Sequence, residues 1–190
     1  SAGVRRIEAV TGQGVLQLLR DREALIAAAA ARLRAKPVEL LARVGAFVKE
    51  QQALQQTADA LRSRLVNLTA LELLQKAGEI GGVLTVFAYL PEMGAGELRA
   101  IGDRIRERHE RAFALLIGGQ EEGLTLFASA TGPAVEQGVH AGNVIREVAA
   151  LTGGKGGGKA DSAQGGGRHR DRVEQAITAA RELVERQLRG

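Results

Sequence analysis

The residues most suited to binding chemistry lie between positions 153 and 167, where the chain reads GGKGGGKADSAQGGG. Eight of these fifteen residues are glycine, and Lys155 and Lys159 interrupt the glycine runs. Without side chains, backbone amides can approach a phosphate or a sugar closely, and left-handed backbone conformations cost little. The segment therefore favours a Gly-rich loop that binds a nucleic-acid backbone, although a flexible linker is the alternative that such a composition also allows.

Basic residues accumulate around this segment, although the whole chain carries a formal net charge of only +4. The local acidic residues are only Asp161 and Asp171, and the basic ones are Lys155, Lys159, Arg168, Arg170 and Arg172. A concentrated positive patch is what contact with phosphates requires. An ordinary solvated, Arg-rich surface is the alternative interpretation of the same charges.

Catalytic and metal-binding patterns are absent from the sequence. The chain has no cysteine, which excludes disulfides and thiolate zinc sites and fits a reducing compartment, so we expect a cytoplasmic protein. His109, His140 and His169 fall on separate elements without the i, i+4 spacing of a helical metal site. Of the three, only His169, beside a glycine triplet, is linked to binding. We predict no catalytic residue, no metal and no cofactor in this chain.

Residues 11–79 have the pattern of a helical hairpin or coiled coil. Helical spacing runs to about Arg34, Lys36-Pro37 interrupts it, and Pro37 suits the first turn of a second helix that continues to about Ala77. Within the second helix an apolar stripe recurs at alternating intervals of four and three residues, the heptad spacing of a coiled coil. The residues assigned to helix packing or dimerisation are Leu54, Leu61, Leu65 and Leu68. Such a stripe needs a cover, either an upstream domain or a second copy of the chain; a simple spacer is the alternative.

Residues 80–190 have the pattern of a small α/β globular domain. Strands are predicted at 83–90, 112–119 and 124–130, and amphipathic helices at 96–109, 139–151 and 170–188. The four-residue turn after position 119 predicts an antiparallel hairpin. The fold class is therefore α+β: an N-terminal helical hairpin, then a mixed or antiparallel sheet with helices on one or both faces. The apolar run 83–90 is too short for the roughly 20 residues of a membrane span, so no membrane contact is expected.

The Gly-rich segment, together with the preceding VHAGNVIREVAALTGG, resembles the signature of the C-terminal region of alanyl-tRNA synthetases. The N-terminal RRIEAVTG resembles the last strand of the editing domain in that family, and a helical hairpin follows in the same order. By this resemblance, residues 1–10 are a remnant strand of a preceding editing domain, 11–79 the helical hairpin, and 80–190 a globular tRNA-binding domain. The globular part is similar to the DHH-associated domain family.

The resemblance implies a function for the chain and for a longer parent protein. The parent would join alanine to tRNA using ATP, with Mg and zinc in its upstream domains, while this chain would need no cofactor. The chain would contact the elbow of a tRNA, namely the tRNA for alanine. It would also link the aminoacylation and editing domains and support a homodimer. The residues assigned to tRNA binding are Gly153, Gly154, Lys155, Gly156, Gly157, Gly158, Lys159, Gln164, Gly165, Gly166, Gly167, Arg168, His169 and Arg170.

Two further hypotheses remain open at this point. The chain could be the substrate-binding domain of a DHH-family phosphoesterase, in which the resemblance would place a histidine directly after the glycine triplet. Here Arg168 follows Gly165-Gly166-Gly167 and His169 comes one place later, a departure that favours the synthetase. The chain could instead be a purely structural dimerisation module that uses the leucine stripe of the second helix.

Overall fold

The N-terminal part of the chain forms two helices joined by a short turn. The computed structural model describes residues 11–120 and 123–189, together with Gly3 and Ala9; the predicted remnant strand at 1–10 otherwise falls outside the described residues. Helix α1 spans Gln13–Arg32 and α2 spans Leu40–Gln75. The chain divides into two compact units, the first reaching Ala60 and the second beginning at Leu61.

The turn after α1 has the local chemistry that the sequence predicts. Arg34 takes a left-handed conformation with φ 52°, and the Ala35 N–H donates to the Ala30 carbonyl at 2.9 Å, so the last carbonyls of α1 gain partners. Pro37 then opens a 3₁₀-helix, Pro37–Glu39, that leads directly into α2. Its fixed φ suits a first helical turn, and its missing N–H costs nothing there.

The leucine stripe of α2 is exposed along its length. The exposed fractions of Leu54, Leu61, Leu65 and Leu68 are 60%, 61%, 53% and 55%. Among and just after these leucines, Val66 and Ala70 of the same helix are buried against the sheet of the second unit. The second unit therefore includes the end of α2, which the sequence assigned to the helical hairpin, because these two small side chains complete its core.

A six-stranded mixed sheet forms the centre of the second unit, with the order β1-β2-β3-β4-β6-β5. Strands β2 and β3 are parallel, as expected when α3 connects them, and every other neighbouring pair is antiparallel. The strands are β1 (Gly78–Ile80), β2 (Val83–Leu90), β3 (Ala112–Gln120), β4 (Gly123–Ala130), β5 (Lys155–Gly158) and β6 (Ser162–Gly167). The helices are α3 (Ala95–Arg108), α4 (Gly132–Glu136), α5 (Ala141–Leu151) and α6 (Val173–Arg189).

Both faces of the sheet are covered by helices. On one face, α5 and α6 pack over an apolar cluster that includes Phe113, Leu115 and Ile117 of β3. On the other, α3 and the end of α2 pack over Ala114 and Leu116 of the same strand. Because β3 is buried on both faces of the sheet, its sequence is a continuous run of apolar residues. Within the described residues no helix is long and apolar enough to cross a membrane.

The predicted fold class is confirmed, and the main correction concerns the Gly-rich segment. The predicted strands at 83–90, 112–119 and 124–130 correspond to β2, β3 and β4, and the last two form the predicted antiparallel hairpin. The prediction of a loop at 153–167 is wrong, because the segment forms β5 and β6. Glycine weakens strands when they stand alone, so no local pattern indicates that β6 will pair with β4 along six residues. The short elements β1 and α4 were also not predicted.

Close packing between α3 and β4 depends on Gly102. A Cβ added at Gly102 would overlap the Phe127 ring and lie 2.9 Å from Ser129 Oγ. Both Phe127 and Ser129 are buried, and Ser129 Oγ has no hydrogen-bond partner in the described structure. The helix can therefore approach the sheet only because position 102 has no side chain, and the approach leaves a hydroxyl unsatisfied.

We expect Gly102→Ala to lower the free energy of unfolding by roughly 1–3 kcal/mol, because the methyl group overpacks the core. Gly96→Ala is the matched control on the same helix, since a Cβ there would meet nothing within 4 Å, and its stability should be unchanged or slightly raised. Ser129→Ala should change the free energy of unfolding only a little, because it removes an unsatisfied buried hydroxyl. Urea unfolding measures all three, and equal stabilities for the two alanine variants of α3 would contradict the packing argument.

Candidate nucleic-acid interface

Strands β5 and β6 form a glycine-rich hairpin at one edge of the sheet. Lys155 lies opposite Gly166 and Gly157 lies opposite Gln164 in the antiparallel register. One face of this hairpin packs on α5, through Ile145. The helices of the opposite layer pack over β2, β3 and β4, and Lys155 and Gln164 on the second face of the hairpin are exposed. The hairpin therefore offers a backbone surface that side chains leave largely bare.

Most of the glycines are needed for packing inside the domain. A Cβ at Gly156 or Gly165 would lie 2.6 Å or 3.1 Å from the Ile145 side chain, so α5 can rest on the hairpin only because both residues lack one. Cβ atoms at Gly154 and Gly167 would overlap the Gly166 carbonyl and the Thr152 hydroxyl. Close approach of a ligand is thus not what requires these four glycines.

Two glycines have free space where a side chain would be. A Cβ at Gly166 would meet only the Leu124 carbonyl, at 3.5 Å, and one at Gly157 would meet only Arg146, at 3.9 Å. Both distances are ordinary van der Waals contacts, so the fold tolerates a side chain at either position. The sequence-based explanation, in which missing side chains admit a ligand, therefore applies to Gly157 and Gly166.

An open groove brings several of the predicted residues together at the end of this hairpin. Six residues of the predicted site line it, and Gly123 and Leu124 at the start of β4 were not predicted, because they join the site only through strand pairing. The lining residues are Gly123, Leu124, Gly153, Gly154, Lys155, Gly166, Gly167 and Arg168. The groove is therefore walled by backbone and by two cations.

Thr152 fixes the two ends of the hairpin to each other, and sequence reasoning missed it. Its carbonyl accepts hydrogen bonds from the backbone N–H of Arg168, at 2.7 Å, and of His169, at 3.0 Å. Its buried hydroxyl donates to the Val148 carbonyl of α5 at 2.8 Å. The entry and exit of the hairpin are thus held at the last turn of α5.

The turn of the hairpin is also anchored by backbone hydrogen bonds. The first N–H groups of α5, at Ala141 and Gly142, donate to the carbonyls of Ala160 and Lys159 at 2.9 Å and 3.0 Å. These bonds satisfy amides that a helix start leaves without partners. The Ala130 N–H donates to the Asp161 carbonyl at 2.9 Å. With both ends and the turn held, Lys155 and Lys159 extend from a fixed backbone.

The predicted cations differ in their surroundings. Lys155, Lys159 and Arg168 are exposed, and no carboxylate within residues 11–120 and 123–189 forms a salt bridge with them. Arg170 instead places its guanidinium beside Gly119 at the end of β3. The His169 ring lies against the backbone of Gly153, which has φ +71° and no room for a Cβ.

The other two histidines lie at the ends of helices. His140 precedes α5, and its Nδ1 accepts a hydrogen bond from the Asn143 N–H at 3.2 Å, which caps the helix. His109 ends α3. Among the described residues there is no group of three His, Asp or Glu side chains placed to hold a metal ion. The clearest candidate for a binding site is therefore the glycine hairpin with its groove.

Comparison with known proteins identifies the family of this domain. The family model of the DHHA1 domain matches residues 82–186. The alanine–tRNA ligase of Shouchella clausii (strain KSM-K16) is 37% identical over 185 residues, which are 97% of this chain and 21% of that protein. The chain thus spans about a fifth of the length of this curated relative.

Two solved structures share the fold. The C-Ala domain of Aquifex aeolicus alanyl-tRNA synthetase superposes with a TM-score of 0.53 and 27% identity, covering 57% of this chain and 97% of that domain. RecJ from Thermus thermophilus superposes with a TM-score of 0.52 and 20% identity, covering 76% of this chain and 21% of that protein; at this identity the likeness is one of fold alone. The chain therefore belongs to the DHHA1 domain family and is homologous to the C-terminal region of alanyl-tRNA synthetases.

Proposed function

We propose that this chain is the tRNA-binding C-terminal region of an alanine–tRNA ligase. The observation that carries the proposal is the backbone groove at the glycine hairpin, with Lys155 and Arg168 in its wall and Lys159 at the hairpin turn, all three without a described ion-pair partner. Exposed cations held on a fixed backbone can neutralise phosphates without first breaking internal salt bridges. Because the chain is homologous to alanine–tRNA ligases, the polyanion that we propose as its ligand is tRNA, specifically the tRNA for alanine.

The mechanism of this binding is electrostatic and shape-dependent. The cations neutralise phosphates, and the flat backbone at Gly166 lies against ribose, which places the RNA but reads little of its base sequence. Following the family resemblance, the contacted feature is the elbow of the folded tRNA. The chain then links aminoacylation and editing domains of a longer protein that uses ATP, Mg and zinc in those domains and works in the cytoplasm.

Dimerisation through α2 is the second part of the proposal. Leu54, Leu61, Leu65 and Leu68 recur at heptad spacing, and each is more than half exposed in the single chain. Burying such a stripe against a second copy removes apolar surface from water and is the usual way that a coiled-coil seam is covered. An upstream domain of the same protein is the other cover that the sequence leaves open. The likeness to RecJ concerns the fold and does not favour a phosphoesterase.

Replacing the three cations tests the proposed interface. We expect the Lys155→Ala/Lys159→Ala/Arg168→Ala variant to lose most tRNA affinity, and the slope of log K against log salt to fall by roughly 2–3, because each lost phosphate contact removes roughly 0.7–0.9. The matched control is Arg104→Ala/Arg106→Ala/Arg108→Ala near the end of α3, which makes the same charge change. Filter binding over a salt series measures the tRNA affinity of both variants. Equal losses of affinity would show that tRNA is attracted by the overall positive charge of the chain and not by this interface.

A side chain at Gly166 tests the role of the bare backbone. Gly166→Val should fold, since valine suits a strand and the position has space, but its side chain occupies the groove and should lower tRNA affinity. The melting temperature should stay within a few degrees, whereas Gly154→Ala should lower it because its Cβ overlaps the Gly166 carbonyl. Thermal unfolding and fluorescence anisotropy with labelled tRNA measure the two effects. Full tRNA affinity in Gly166→Val would remove the groove from the interface.

Polar substitution of the leucine stripe tests the dimer. The intact chain should show a concentration-dependent dimer in sedimentation equilibrium, and Leu61→Ser/Leu65→Ser should sediment as a monomer because the apolar seam is interrupted. Leu25→Ser is the control, since Leu25 is 71% exposed on α1 and lies outside the stripe. An intact chain that remains monomeric at high micromolar concentration would leave the upstream domain as the cover of this stripe.

A further inference from the structure

Arg146 on α5 lies beside strand β5, between two lysines of the proposed interface. Side chains of a strand alternate between its faces, so Lys155, Gly157 and Lys159 share one side. The antiparallel ladder extends past β5, since the Lys159 N–H donates to the Ser162 carbonyl at 2.9 Å. The Cα atoms of the two lysines are therefore roughly 13 Å apart, with the glycine midway between them.

Arg146 borders the space beside Gly157 without filling it. Arg146 Cγ and Nε both lie 3.9 Å from the point where a Cβ on Gly157 would stand. The aliphatic part of the arginine thus follows the strand, while its side chain as a whole is exposed. A cation from a different element thus lies beside the row that Lys155 and Lys159 begin, and a Cβ at position 157 would touch it without overlap.

No carboxylate among the residues that the structure describes forms a salt bridge with this row. Glu147, next to Arg146 along α5, pairs with Arg186 of α6 at 3.9 Å. Neither Arg146 nor the two lysines form a salt bridge within that part of the chain. Three cations without a salt bridge beside one strand match a ligand with regularly repeated negative charges, and a guanidinium can bind a phosphate through two parallel hydrogen bonds.

We propose that Arg146 is a further tRNA-binding residue, which extends the interface from the groove along the free edge of the sheet onto α5. This inference rests on the proposed function. The residue escapes sequence analysis because it precedes the Gly-rich segment and belongs to a helix whose apolar positions only indicate packing.

The salt dependence of tRNA binding by the full chain tests the assignment. Arg146→Gln should reduce the slope of log K against log salt by roughly 0.7–0.9, the contribution of one phosphate, with a severalfold loss of affinity at constant salt. Arg104→Gln on α3 is the matched control and should leave the slope unchanged. Arg146→Lys should keep the slope and lose part of the affinity, since lysine keeps the charge but not the paired hydrogen bonds.

A second variant tests the geometry independently. The Cβ position of Gly157 lies 3.9 Å from Arg146, so the larger side chain of Gly157→Val should displace the arginine and weaken binding. Adding Arg146→Gln to Gly157→Val should then have little further effect. Additive effects of the two substitutions would contradict binding by Arg146 from its position beside Gly157.

The outcomes separate this inference from the proposed function. If the intact chain shows no salt-dependent affinity for tRNA, the proposed function fails and the inference fails with it. If Lys155→Gln lowers the slope but Arg146→Gln behaves as Arg104→Gln does, the proposed function stands and only the assignment of Arg146 is overturned. A loss in both Lys155→Gln and Arg146→Gln supports the extended interface.

Discussion

The close contact between α5 and the glycine hairpin is the constraint on which the candidate site depends. Ile145 rests on backbone at Gly156 and Gly165, where any Cβ would come within about 3 Å of it. This contact gives the edge strands a buried face that they could not form with side chains of their own. A hairpin of glycine has little intrinsic preference for the extended state, so packing on α5 and pairing with β4 must supply it.

Glycine has two different structural roles in the same short segment. On the packed face, Gly156 and Gly165 allow helix and strand backbones to approach, whereas the half-buried Gly157 and Gly166 have space for a side chain. A sequence rich in glycine does not distinguish these roles, because both require only the absence of a side chain. The sequence therefore singles out the segment that forms the candidate site, but it does not reveal why most of its glycines are required.

The accuracy of the sequence analysis follows the strength of side-chain patterns. Strand β2, with the sequence VLTVFAYL, was predicted with its observed ends because β-branched and aromatic residues mark it between glycine and proline. Strands β5 and β6 carry almost no side chains, so no periodicity could reveal them. Thr152 and Arg146 were missed for a different reason: each acts through neighbours on other elements, and such proximity exists only in the folded chain.

Fixing cations to a sheet edge has consequences that a mobile loop would not have. Lysines on a flexible linker can follow any polyanion, and they lose conformational entropy each time they bind. Lys155 and Lys159 extend instead from a backbone held at both ends and at its turn, so their spacing is set before any ligand arrives. On the proposed function, such a surface selects a ligand by the arrangement of its phosphates rather than by its bases. A folded RNA corner presents that arrangement, while an extended strand must first adopt it. If the chain binds tRNA as proposed, the anchored backbone of the glycine hairpin is therefore expected to favour a folded tRNA.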